Sequence, residues 1–202
     1  MGTIRKGEIT KKHIIEQSAK LMNQHGFLST SLSEIVEATG MQKGGLYNHF
    51  KDKEELALQA FDYCCDSIGQ YLEESIRLKS SAEDRILAYI EAYLSFTENP
   101  RMPGGCPIMN ATIEADDGRS EKLLDRAQSA MRVFIQSLED EIAKGIQNGE
   151  IRSDTDPRKT ATMMMATTEG GILLSKMFTD LSYIAMIKGQ LNQYVKNELC
   201  LR

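Results

Sequence analysis

Between Gly40 and Lys53 the chain reads Gly-Met-Gln-Lys-Gly-Gly-Leu-Tyr-Asn-His-Phe-Lys-Asp-Lys. Lys43, Asn48 and His49 bring donors that suit phosphate oxygens and base edges. Gly44 and Gly45 bring no bulk, so a backbone built from them can come close to the floor of a major groove. Lys51 and Lys53 follow within reach of a phosphate backbone. These residue types bind a polyanion; they contain no nucleophile with a base beside it.

The remaining reactive side chains are scattered. Cys106 sits in Gly104-Gly105-Cys106-Pro107, a loop-to-helix junction where a helix N-terminus lowers a thiol pKa; it reads as a thiol sensor or as a small apolar residue beneath a tight loop. Lys176, in the apolar run Ile172 to Phe178, could pair with such a thiolate or snorkel to solvent. Cys64, Cys65 and Cys200 complete the cysteines, and the spacings give neither a zinc pattern nor a disulfide framework. The three histidines, His13, His25 and His49, stand at no ligand spacing, so neither a metal nor a cofactor is expected.

The elements that must position these residues all read as helices. A first runs from about Thr10, as its cap, to Gln24, stopped by His25-Gly26. Ser31-Leu32-Ser33-Glu34 is a capping box that opens a short second helix ending at Gly40. The third runs from Lys43 to about Phe50, and a long fourth begins near Lys53. Ala82 to Thr97 forms a fifth helix, Pro107 opens a sixth that ends at Asp116-Asp117-Gly118, and a seventh carries Leu123, Ala127, Met131, Phe134, Leu138 and Ile142 on one face. The eighth, capped by Asp156, spans Pro157 to Phe178. The ninth spans Ser182 to Leu199, with Ile184, Ile187, Leu191 and Tyr194 spaced like a heptad seam. About nine helices and no strand pattern define an all-α chain.

Composition places the polyanion-binding chemistry at one end. The net charge is −5, yet residues 1–53 hold eight basic side chains (Arg5, Lys6, Lys11, Lys12, Lys20, Lys43, Lys51, Lys53) against five acids (Glu8, Glu16, Glu34, Glu37, Asp52). That stretch is +3, and residues 54–202 therefore carry −8. With 41% hydrophobic residues the chain can bury a core. It has no apolar run of the roughly 18 residues a membrane span needs and no apolar leader. A cytoplasmic protein without membrane contact is expected.

Residues 9–61 resemble the DNA-binding domain of TetR-family regulators. The resemblance rests on Tyr47, Phe50 and Lys53 spaced by three, on Leu56 in register, and on Ile35, Ala38, Gly40 and Leu46 at the family's buried helix-turn-helix positions. It implies a third helix lying in the major groove, with Lys43, Gly44, Gly45, Asn48 and His49 at contact positions. It further implies that Thr30, Ser31 and Lys53 touch phosphate, that Tyr47 packs and donates to phosphate, and that Phe50 anchors the helix. Gln42 stands where the family often has a hydroxyl cap, and Gly45 replaces a commoner Ser or Thr.

The organisation expected is a three-helix DNA-binding domain over residues 1–53 and a helical effector-binding and dimerisation domain over 54–202. The partners would be double-stranded operator DNA, a small-molecule effector, and a second copy docked through the eighth and ninth helices. Candidate effector residues are Tyr89, Tyr93 and Phe96 on the fifth helix, Cys106, Asn110 and Glu114 around the sixth, and Met131, Met164, Thr168 and Lys176 beyond. Most of the methionines serve equally well as plain core. Two other readings stand beside this one: a helical interaction module that does not bind DNA, and an enzyme using Cys106, for which the sequence places no base.

Overall fold

The computed structural model describes residues 6–95 and 102–201. Among them the chain forms nine α-helices: α1 (Lys6–His25), α2 (Leu32–Thr39), α3 (Lys43–Tyr47), α4 (Lys53–Arg77), α5 (Ala82–Ser95), α6 (Pro107–Ala115), α7 (Glu121–Gln147), α8 (Pro157–Phe178) and α9 (Ser182–Tyr194). A 3-10 turn, Asp116–Gly118, follows α6, and a π-helical turn, Val195–Leu199, continues α9. The described residues form no sheet; Ile151 and Cys200 meet in an isolated antiparallel bridge. Among the described residues no helix is long and apolar enough to cross a membrane.

The helix ends follow from local chemistry. Ser31 caps α2 with both halves of the box present, and Gly40 at φ 67° closes it. Asp156 accepts the Lys159 N–H, with Pro157 in the first turn of α8. Asp52 caps α4 by accepting the Glu55 N–H at 2.8 Å, and Glu55 returns to the Lys51 N–H at 2.7 Å. Two expected boundaries move. Helix α1 begins a turn earlier than Thr10, whose hydroxyl donates back to the Lys6 carbonyl instead of capping. Helix α3 stops at Tyr47, short of Phe50, because two glycines weaken a helix that already lacks a side-chain cap at Gln42.

The chain packs into two compact units whose boundaries fall inside α4 and α7. The first takes α1, α2, α3, α4 to Asp66, α6, and α7 to Gln128. Ile14, Met22, Phe27, Ile35, Leu46, Phe50, Leu56 and Phe61 are buried in it, with the Phe27 and Phe61 rings edge to face at 5.5 Å. Each such side chain contributes roughly 1.5–3 kcal/mol by leaving water, which helps to hold α2 and α3, too short to persist alone. His13 fastens α1 to α2 by donating from Nε2 to the Thr39 carbonyl at 3.2 Å.

The second unit takes the rest of α4 and α7 with α5, α8 and α9, the last three packed on one another. Gly171 lets α9 come close: a β-carbon there would stand 2.9 Å from Ile187. Ile184 and Leu191, members of the expected seam, are buried within the protomer. That seam is spent on the chain's own core, and a different face of α8 and α9 is left apolar and exposed. Glu141 is nearly buried on α7 and is paired with Arg85 and with Lys144, the latter at 2.8 Å. Burial alone would raise its pKa, but the two cations outweigh that and hold it below the usual carboxylate range.

Candidate nucleic-acid interface

Helix α3 turns one face to the core and the other to solvent. Leu46 and Phe50 are buried, at 2% and 3% exposure, and the N–H groups of His49 and Phe50 both donate to the Leu46 carbonyl at 3.0 Å. That fixes the helix against the core although it is only five residues long. On the other face Gln42, Lys43, Gly44, Tyr47 and Asn48 are exposed and His49 is half-buried. A β-carbon added to Gly44 would meet nothing within 4 Å, whereas one at Gly45 would stand 2.9 Å from the flexible tip of Met41. The ammonium of Lys11 lies 5.3 Å from the Phe50 ring centre, bringing a further cation from α1 beside this surface.

Ser31 is exposed at the start of α2. Its hydroxyl accepts the Glu34 N–H at 3.3 Å and its N–H donates to the Glu34 carboxylate at 2.8 Å; hydrogen bonds from the Ser31 side chain and N–H hold that carboxyl below its ordinary range. Thr30 and Lys53 are placed differently from Ser31. Thr30 is buried and donates its hydroxyl to the Gly26 carbonyl at 2.6 Å, which commits that proton within the protein. Lys53 donates from Nζ to the carbonyls of Leu28 at 2.6 Å and Thr30 at 2.9 Å. Both residues secure the loop that feeds α2.

The residues proposed from sequence for effector binding divide into two groups. Asn110 and Glu114 lie in the unit that contains α1–α3. Asn110 donates to the carbonyl of Asn23 at 2.9 Å, to its side-chain oxygen at 3.0 Å, and to the Gly104 carbonyl at 2.9 Å. Glu114 accepts the N–H groups of Leu28 at 3.0 Å and Ser29 at 2.7 Å, and the Ser29 hydroxyl. Both carry structural bonds to α1 and the α1–α2 loop. Cys106 is buried as the cap of α6, its sulfur accepting the Met109 N–H at 3.5 Å. Burial drives the Cys64 and Cys65 thiols far up, so they stay protonated.

The second group stays in the other unit. Tyr89 is fully buried and donates to the Phe134 carbonyl at 2.8 Å, with its hydroxyl pushed well above the usual range by burial. Tyr93 is buried, edge to face with Phe134 at 5.8 Å, and its hydroxyl reaches the Glu169 carboxylate at 2.5 Å. Met164 and Thr168 are buried, and the Thr168 hydroxyl returns to the Met164 carbonyl at 2.8 Å. Met131 is half-buried and Lys176 exposed, while Phe96 lies outside the described residues. Among the described residues no three His, Cys, Asp or Glu side chains gather to hold a metal.

A basic, capped helix-turn-helix on an all-α body defines a DNA-binding transcriptional regulator. Residues 14–60 match the family model for bacterial regulatory proteins of the tetR family, and residues 82–190 match the tetracyclin repressor-like C-terminal domain. The chain belongs to the TetR family. It is similar to a TetR transcriptional regulator from Chloroflexus aurantiacus J-10-FL, at 32% identity over 98% of this chain and 100% of that one, with a TM-score of 0.92. A TetR-family regulator from Cytophaga hutchinsonii is 31% identical over the whole of both chains, with a TM-score of 0.89. A curated relative, the fatty acid metabolism regulator protein of Bacillus subtilis strain 168, is 24% identical over 77% of this chain and 78% of its own length.

Proposed function

We propose that the chain is a cytoplasmic, ligand-responsive repressor that binds a near-palindromic operator as a homodimer and releases it when a small molecule occupies the C-terminal region. The observation that carries the DNA contact is the solvent face of α3, where Lys43, Gly44, Tyr47 and Asn48 stand exposed over a buried Leu46 and Phe50. Ser31, Gln42, Gly45 and His49 flank it, with Thr30 and Lys53 acting from behind by holding the loop. Residues 1–53 then form the reading domain and 54–202 the effector and dimer domain. The description of the matched C-terminal domain as repressor-like supports repression.

A second copy is proposed to dock on α8 and α9. Met163, Leu173 and Met177 recur along one side of α8 and are 38%, 39% and 62% exposed, and Leu181 and Met186 are 57% and 54% exposed. Such a stripe needs a cover in water, and a two-fold dimer would set two copies of α3 about one turn of duplex (~34 Å) or more apart. The effector would enter near Tyr93, Met164 and Thr168, where the Tyr93–Glu169 hydrogen bond offers a polar anchor among apolar walls. It must bind the DNA-incompetent state more tightly, since only differential affinity shifts the balance. The burial of Cys106 beneath its loop favours a capping role there over a thiol signal.

The test is a titration of purified protein against a duplex selected from a random pool. Lys43→Ala should weaken selected and random duplexes alike and lower the salt slope by roughly one phosphate's worth. Asn48→Ala should also change which sequence is preferred, costing about 1–3 kcal/mol at one position. Unchanged binding in both variants would refute the proposed docking face.

A further inference from the structure

The loop of residues 26–30 hands the chain from α1 to Ser31, the cap of α2, and its backbone is gripped by opposite charges. Glu114, at the end of α6, accepts the N–H groups of Leu28 and Ser29 and the Ser29 hydroxyl. Lys53 takes the carbonyls of Leu28 and Thr30. The carboxylate sits so close that a β-carbon at Gly26, which adopts φ 105°, would run into it. One turn earlier on α6, Asn110 holds the Asn23 carbonyl near the end of α1. Spaced by four, Asn110 and Glu114 act from one side of α6.

We propose that Glu114 is a positioning residue for DNA binding: reaching from α6, its carboxylate fixes the α1–α2 loop, and so sets how α2 and α3 meet the duplex. Glu114 touches no DNA itself. Hydrogen bonds to an ionised acceptor are the strong kind, and three of them converge here on two loop residues. Leu28 is half-buried and Ser29 exposed, so without the carboxylate their N–H groups would turn to water. The loop would loosen while the core beneath it stayed packed. The inference rests on the interface proposed above.

The experiment compares the full-length wild type with Glu114→Gln, which keeps size but loses the charge and one acceptor, and with Thr112→Ala, an exposed neighbour on α6. Amide hydrogen exchange at Leu28 and Ser29 should accelerate in Glu114→Gln, while Ile35 and Leu46 stay protected. Affinity for the selected duplex should fall roughly tenfold, within the range that coupling between sites spans, with the salt slope unchanged because no phosphate contact is lost. Thr112→Ala should match the wild type. Should Glu114→Gln fail to fold, Glu114→Asp, charged but one methylene short, is measured in the same way with the same outcome expected. Wild-type affinity in the Glu114 variant, or an affinity loss accompanied by deprotection of Ile35 and Leu46, would overturn the proposal. If Lys43→Ala weakens binding and Glu114→Gln does not, the positioning role alone falls; if Lys43→Ala also leaves binding intact, the interface falls with it.

Discussion

Gly44 is exposed on α3 with room for a side chain that the protein does not use. Within the free protein an alanine there should be favourable, adding up to ~1 kcal/mol of helix propensity without a clash. If the backbone at 44 approaches a groove floor, the same methyl group should obstruct it. Gly44→Ala is therefore expected to leave the melting temperature unchanged or higher while weakening duplex binding by about tenfold or more. A variant that gained stability and bound normally would remove Gly44 from the interface. Lys43, Tyr47 and Asn48, placed at the duplex from residue type and resemblance, are exposed on this face. The Thr30 hydroxyl turns back four positions to Gly26, whereas the polar atoms of Lys53, Asn110 and Glu114 meet backbone groups far away in the chain: Glu114 reaches Leu28 and Ser29 across some 85 positions. No local spacing carries that information.

Helices with strong end signals were legible in the sequence to the residue. Asp156-Pro157 marks the start of α8 and Ser31 with Glu34 marks the start of α2, because each satisfies orphan N–H groups within one turn. Where propensity is weak and packing decides, the boundary drifts, as at the end of α3. Helices α5 and α7 are joined by a charge cluster whose energetics can be tested. Glu141 titrates below its ordinary value of 4.5 in the folded protein. A depressed carboxylate contributes stability that is present above its unfolded pKa and lost as pH falls through the lower folded value. Denaturant unfolding should therefore show a loss of stability below about pH 4.5 that shrinks in Glu141→Gln. At neutral pH Arg85→Ala should cost about 2 kcal/mol by stripping a nearly buried carboxylate of a hydrogen-bonded cation. Indifference of stability to both substitutions would show the cluster to be ornamental.

At the scale of the molecule, the proposed function depends on putting two basic reading domains on one duplex. Each carries +3 over residues 1–53 against −8 over the remainder, so a polyanion is drawn to the former and repelled by the latter. The pairing proposed above would use the exposed apolar stripe of α8 and α9. The heptad-like spacing read in α9 gave no guide to an outer face, because Ile184 and Leu191, members of that seam, are buried in the protomer's own core. The most direct measurement is sedimentation and competition binding of the wild type beside Leu173→Glu/Met177→Glu, at low salt and without effector. The wild type is expected to sediment as a dimer, to choose a near-palindromic duplex over random competitor, and to lose affinity steeply as salt rises. The doubly substituted chain is expected to run as a folded monomer with little preference. A wild-type dimer that binds no duplex sequence better than random DNA would contradict the account.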